Sequence, residues 1–211
     1  MKNLAFSVLV LISAMLSNGA HAAAQLGKDY TLLASAQPSS KQKIEVLEFF
    51  FYQCGHCFHL HPLIAQWEKT KAHDVEINYV PTIFQAGAEP AATAFYALEG
   101  MGQIKQVDDA LYQAIHVQQV GLFDLDSISA VVTKNGVDKA KFAAAYNSFA
   151  VQSKVTRAKQ MLRSYASQGT PTLIVDGRFV ITGLQPADTI KVLDEVINQV
   201  RKERAPAGKK H

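Results

Sequence analysis

Two cysteines occur in the 211-residue chain, and both lie in one tetrapeptide, Cys54-Gly55-His56-Cys57. Thiols at this spacing suit redox exchange, in which the thiolate is the nucleophile. The pair follows the apolar run Ile44 to Tyr52, so Cys54 is expected where a strand hands over to a helix. At a helix N-terminus, unpaired N–H groups and the helix dipole favour a thiolate over a thiol. Stability is a weak reason for the pair, because a bridge closing two residues removes little unfolded-state entropy. Reactivity is the better reason.

The same segment suggests a second chemistry. Cys54, His56, Cys57, His59 and His61 are dense enough for zinc held by two thiolates and two imidazoles. Against this, such sites usually separate their ligand pairs by about a dozen residues. Adjacent groups here would also point around a helix. A redox site with no metal and no cofactor is therefore the preferred reading. No dinucleotide fingerprint, P-loop or flavin motif is present, and His73 and His116 carry no argument.

The N-terminus indicates where such chemistry would take place. Met1-Lys2-Asn3 is a short basic start, Leu4 to Leu16 is apolar apart from serines, and Ala20-His21-Ala22 matches a signal peptidase site. Residues 1–22 are read as a signal peptide, with Ala24 as the alternative cleavage point. The apolar stretch falls short of the ~20 residues needed to span a bilayer. The expectation is a soluble exported protein in a compartment where disulfides persist.

Charge argues against nucleic acid as a partner. The whole chain carries +3, and residues 201–211 hold five Lys/Arg against one Glu. The basic character is a tail rather than a groove-binding face.

The elements that would position the cysteines can be read in outline. Tyr30 to Leu33 suggests a short first strand, and Ile44 to Phe51 a strand covered on both faces. A helix is expected from Gly55 to about Thr70, then a strand over Val75 to Val80, which together make a βαβ unit. Four apolar stripes follow at helical spacing: Ile104 to Ile115, Leu125 to Val132, Phe142 to Phe149, and Val155 to Tyr165. Asn135-Gly136 reads as a helix stop and Asp138 as an N-cap. Leu173 to Ile181 reads as a hairpin with Asp176-Gly177 in a type I′ turn. An amphipathic helix over Asp188 to Val200 follows.

These features resemble the DsbA-type periplasmic thiol:disulfide oxidoreductases of the thioredoxin superfamily. The resemblance is carried by several residues together. Beside Cys54-Gly55-His56-Cys57, Glu48 lies six residues before the first cysteine, where the superfamily keeps a buried acid. Pro62 lies five after the second, where many thioredoxin-fold proteins kink the active-site helix. Gly169-Thr170-Pro171 stands just before a strand, where the family has its cis-proline. The resemblance covers essentially the whole mature chain. It implies an α/β thioredoxin-like fold interrupted by an inserted all-helical domain. Residues 23–85 and 169–200 would form the thioredoxin-like domain, 86–168 the helical insertion, and 201–211 a basic, disordered tail.

Roles follow from that resemblance. It implies a redox-active Cys54–Cys57 disulfide, with Cys54 attacked by substrate and Cys57 buried one turn inside the helix. His56 would stabilise the Cys54 thiolate; its alternative is an exposed helix-start residue of little consequence. Glu48 would relay protons to and from Cys57; its alternative is an edge-strand carboxylate reaching water. A cis Thr170–Pro171 bond would free the Thr170 backbone to pair with an extended substrate. Implied partners are exported proteins with free cysteines and a DsbB-like, quinone-linked membrane protein as reoxidant, with the chain acting as a monomer.

One residue departs from the family pattern. Gly55 replaces a proline, and in this the motif is similar to protein disulfide isomerase. About 60 mV separates those two kinds of protein, roughly 2.8 kcal/mol for two electrons, enough to change the preferred role. An isomerase or reductase is therefore the nearest alternative. A chaperone-like binder with an incidental disulfide is a further one.

Overall fold

The computed structural model describes residues 23–165 and 169–205. Residues 1–22, read above as a signal peptide, and the end of the tail lie outside them. Within the thioredoxin-like part, β1 (Thr31–Leu32), β2 (Ile44–Phe50), α1 (Gly55–Thr70) and β3 (Val75–Pro81) come first. The helices α2 (Glu89–Gly100), α3 (Ile104–His116), α4 (Leu125–Lys134), α5 (Lys139–Tyr146) and α6 (Phe149–Ser164) form the insertion. The chain then returns through β4 (Thr172–Val175), β5 (Phe179–Thr182) and α7 (Pro186–Arg204). The order of strands in the sheet is β1-β5-β4-β2-β3.

Everything is arranged about β2. It runs parallel to β3 on one side and antiparallel to β4 on the other, so its hydrogen-bonding edges are both covered. Successive side chains alternate between the faces of a sheet. Ile44 and Val46 pack with Leu60, Ile64 and Trp67 of α1 and with Leu193 of α7. Leu47 and Phe49 share the other core with Phe95, Leu111, Ile128 and Phe142 of the insertion. Each of these large buried side chains contributes about 1.5–3 kcal/mol. The helical insertion is thus welded to the strand that delivers the cysteines.

α1 spans the expected residues and runs through Pro62 without a break. It buries Cys57, Leu60, Ile64 and Trp67, a spacing that keeps one stripe against the sheet. Asn135 caps α4, Gly136 has φ +88°, and the Asp138 carboxylate accepts from the Lys141 N–H at 2.8 Å.

Three expectations differ from the structure. Helix α2 has no counterpart among the apolar stripes, because Ala91 to Leu98 are all buried. A helix surrounded by protein has no polar face and hence no amphipathic period. The stripe ending at Phe149 crosses a break: Asn147 ends α5, and the Ser148 hydroxyl accepts from the Val151 N–H to start α6. Phe149 is left 88% exposed. The tail, expected to be disordered from Arg201, is helical through Arg204. Arg201 forks onto Asp74 at 2.7 and 3.0 Å, and Arg204 donates to the Ser40 and Lys43 carbonyls and to the Asp176 carboxylate. Cations in the last turn of a helix also suit its dipole.

In the β4–β5 hairpin, Asp176 and Gly177 have φ +56° and +63°, as a type I′ turn requires. A Cβ on Gly177 would lie 2.2 Å from the Gln37 carbonyl oxygen, whereas Gly183, at φ +73°, has nothing within 4 Å. Gly177→Ala is therefore expected to destabilise the fold by about 3 kcal/mol, and Gly183→Ala by only about 1 kcal/mol. Urea denaturation of the two variants checks this; equal midpoints would contradict the steric part.

Candidate active site

The register of β2 sets where the cysteines emerge. After Phe50 the chain turns through Phe51, Tyr52 and Gln53, with the Cys54 N–H donating to the Phe51 carbonyl at 2.9 Å. Cys54 is then the N-cap of α1, in extended conformation (φ −80°, ψ 117°), and its carbonyl accepts from the Phe58 N–H at 3.0 Å. His116, at the end of α3, donates from Nε2 to the Tyr52 carbonyl at 2.7 Å and stacks on Phe58 at 4.7 Å. The insertion therefore holds the turn that presents the nucleophile.

The two sulfurs, both free thiols, stand in opposite environments. Cys54 is partly exposed and Cys57 is fully buried. The Cys57 S–H donated to Cys54 is the largest influence holding the Cys54 thiol down at about 5. The Thr170 side chain and the backbone N–H groups of Cys57 and His56 add to it. No hydrogen bond of ordinary geometry caps the helix through this sulfur, yet those N–H groups lie close enough to favour its anion. The same sulfur–sulfur hydrogen bond, then burial, pushes the Cys57 thiol up. One proton is shared by two sulfurs, and the buried one keeps it.

Thr170 joins Cys54 from the far side of the insertion. The Thr170–Pro171 bond is cis, and the Thr170 carbonyl accepts from the Cys54 thiol at 3.2 Å. Only the protonated sulfur can make that contact. His56 is exposed, and what it gives the Cys54 anion in this arrangement is its backbone N–H.

Glu48 is not the edge carboxylate of the alternative reading. It sits on the central strand, opposite Tyr79 of β3 and Leu173 of β4, and is 3% exposed. Burial, and next the charge of Asp108, raise its carboxyl to about 8. Glu48 in turn helps raise Cys57, so the two groups are close enough to feel each other's protonation.

Asp108 was not singled out from the sequence. It accepts from the Tyr52 hydroxyl at 2.5 Å and faces His61 Nδ1 at 3.7 Å. Burial, above all, raises its carboxyl. A signal for it existed: residues 104, 108, 111 and 115 share one face of a helix, so Asp108 interrupts an apolar stripe. Tyr52 and Tyr112, with ring centroids 4.9 Å apart, complete a buried aromatic wall behind the cysteines.

The proposed zinc ligands are not brought together. His61 pairs with Asp109 at 2.7 Å and packs on Tyr112, while His56 and His59 are exposed and Cys57 is buried. Among the described residues no group of three or more His, Cys, Asp or Glu is placed to hold a metal.

Known proteins are similar to this chain in sequence and in fold. A profile of the DSBA-like thioredoxin domain matches residues 60–193. A thiol:disulfide interchange protein DsbA from Burkholderia cepacia is 35% identical, over 97% of this chain and all of that protein. The protein of the same name from Pseudomonas aeruginosa is 33% identical, over 99% of this chain and all of its own. The crystal structure of Pseudomonas aeruginosa DsbA superposes with a TM-score of 0.82 at 32% identity, covering 87% of this chain and 97% of that one. That of DsbA from Xylella fastidiosa gives 0.78 at 30%, covering 83% and 97%.

The buried carboxyl has a measurable consequence. Glu48 holds its proton up to about pH 8 when folded but releases it near 4.5 when unfolded. Between those values the folded state binds more protons, so the contribution of Glu48 to stability falls as pH rises. The stability of the wild type relative to Glu48→Gln should therefore decline from pH 4.5 to 8, by at most about 5 kcal/mol. Denaturation of both reduced proteins across that range tests it; a difference independent of pH would refute the buried-acid assignment.

Proposed function

The chain belongs to the DSBA-like thioredoxin-domain family and is a thiol:disulfide oxidoreductase, and on that premise we propose that it donates disulfide bonds to exported proteins. The observation that carries this reading is the opposite displacement of the two thiols, with the exposed one favoured as an anion.

The exchange proceeds in two displacements. A substrate thiolate attacks Cys54 Sγ in the Cys54–Cys57 disulfide, which forms a mixed disulfide and expels Cys57. Because burial disfavours a Cys57 anion, its departure is assisted by a proton, and Glu48, protonated near neutral pH, is the donor proposed for it. The second substrate thiolate then attacks the substrate sulfur of the mixed disulfide. Cys54 leaves as a thiolate, the better leaving group for its low pKa. The substrate is oxidised by two electrons and the enzyme dithiol is reduced by two.

Stabilising the Cys54 anion stabilises the reduced enzyme, and a stabilised reduced form makes an oxidising disulfide. Thr170 and Pro171 are proposed to receive the substrate backbone, and the His56 imidazole to add to the anion's stabilisation when protonated. Residues 1–22 are proposed as the signal for export to the periplasm. The two electrons taken from substrate would leave through a DsbB-like, quinone-linked membrane partner, with the chain acting as a monomer.

The alternative role as isomerase or reductase rests on Gly55. A Cβ there would meet nothing within 4 Å, so packing does not dictate this departure from the family's proline. The reduction potential decides between the roles.

Thiolate titration by ultraviolet absorbance should give a Cys54 midpoint near 5, against 9 for the unshifted thiol. The folded pKa lies below the unfolded one, so this stabilisation of the reduced protein grows from about pH 5 to 9 and is lost as pH falls through 5. The oxidised protein has no thiol to ionise. The reduced form should therefore be the more stable at pH 7, with a margin that shrinks on acidification. Cys54→Ser should abolish disulfide transfer. A Cys54 that titrates as a free cysteine, with the oxidised form more stable at pH 7, would sink the donor reading.

A further inference from the structure

We propose that the loop between α3 and α4 forms, with Gln53, a recognition pocket for an aromatic side chain bearing one hydrogen-bond donor beside the substrate's cysteine. Tryptophan is the occupant that fits. The proposal rests on the disulfide-donor reading and adds a substrate preference to it.

The pocket lies next to the nucleophile in the chain. Its volume is about 270 Å³, and its walls are Gln53, Ile115, Gln119, Val120, Leu122 and Phe123 with the backbone of Gly121. Four apolar side chains stand beside two glutamines. Gln119 is exposed to water, whereas Gln53 directly precedes Cys54 and its side-chain oxygen is buried without a hydrogen-bond partner. A buried acceptor left unpaired costs about 1–3 kcal/mol, so a ligand that supplies one donor and otherwise apolar surface recovers that cost. An indole has an apolar body, one N–H and no acceptor. A substrate held at Cys54 by a mixed disulfide presents its neighbouring side chains within reach of this wall.

The loop is shaped for the purpose rather than left loose. After α3, Gln118 and Val120 donate to the carbonyls of Gln113 and Ala114 at 3.0 and 2.8 Å, and Gln119 takes φ +59°. The Phe123 ring then folds over Gly121, where a Cβ would meet it at 2.4 Å. Leu122 is buried as an anchor, while Phe123 is 63% exposed. An exposed ring held against a glycine offers its free face to a second ring. His116, bound to the Tyr52 carbonyl, fixes the start of this loop to the turn that carries Gln53. Aromatic residues next to cysteines are accessible mainly before a protein folds, so the pocket would favour unfolded substrates.

The test uses the oxidised wild-type protein and short two-cysteine peptides that differ at one residue. That residue is tryptophan, 1-methyltryptophan or serine, placed in turn at the two positions on each side of the first cysteine. The readout is the ratio of kcat/KM values between peptides, from which any change in the intrinsic reactivity of Cys54 cancels. At one position, tryptophan should exceed 1-methyltryptophan by about five- to tenfold, and both should exceed serine. Gln53→Leu should remove the gap between the two indoles, and Phe123→Ala should bring both closer to serine. Equal rates for all three peptides at every position would overturn the pocket while leaving disulfide donation intact. Ratios unchanged by both substitutions would also overturn it. Failure to oxidise any peptide would overturn both readings.

Discussion

A thiolate at Cys54 needs donors aimed at it, and the fold supplies them by starting α1 one short turn after β2 ends. The N-cap position leaves the N–H groups of the first turn without helical partners. Here they serve a sulfur anion. The position is only as fixed as the strand that leads to it. β2 is held by β3 and β4 on its edges and by two apolar cores on its faces. A shift of β2 by one residue would exchange its two faces, which turns Glu48 to the opposite face of the sheet and moves Cys54 off the cap. Catalytic placement and core packing are therefore one constraint.

The inserted helices do more than enlarge the domain. They bring Phe95, Leu111 and Tyr112 over the face of β2 that the other helices leave uncovered, and so close off water behind the cysteines. Desolvation raises Glu48, and it adds to the sulfur–sulfur hydrogen bond that raises Cys57; the helices contribute to that burial. The insertion also contributes the Asp108 carboxylate behind the site and the His116 ring at the Tyr52 carbonyl. Packing by one half of the molecule thus sets proton affinities in the other.

Legibility in the sequence followed the physics of each signal. The limits of β2, α1 and β3 were plain because strand and helix periods change there and the cysteines mark the junction. The Asp176-Gly177 turn was plain because few dipeptides accept positive φ at both positions. Helix α2 was hidden because burial on every side removes the contrast on which periodicity depends. The break at Asn147-Ser148 was missed because Phe149 falls at the right spacing for the stripe, yet it begins a new helix facing solvent. Arg201 and Arg204 read as a solvated tail because their partners, Asp74 and Asp176, are distant in the chain. At the site, Cys54 and Cys57 were legible through their spacing, and Glu48 and the cis Thr170–Pro171 bond only through the family resemblance. Asp108 and Gln53 were not, since each matters only through neighbours that the fold brings from other elements.

The protons of the site are arranged as carefully as its sulfurs. Cys57 and Glu48 are both buried and neutral near pH 7, Cys57 because its proton is held in the hydrogen bond to Cys54 and next because of burial, and Glu48 because an anion there would lack solvent. Two buried carboxyls near one another do not readily ionise together, and Asp108 raises Glu48 for that reason. Asp108 differs in one respect: it lines a cleft of about 300 Å³ beside His61 and Lys105, and so stands between the sealed acid and water. Proton affinity is thus raised at the buried sulfur and at both carboxyls, while the partly exposed sulfur is favoured as the anion. That opposition is what lets one short helix N-terminus hold a negative charge and a proton within three residues of each other.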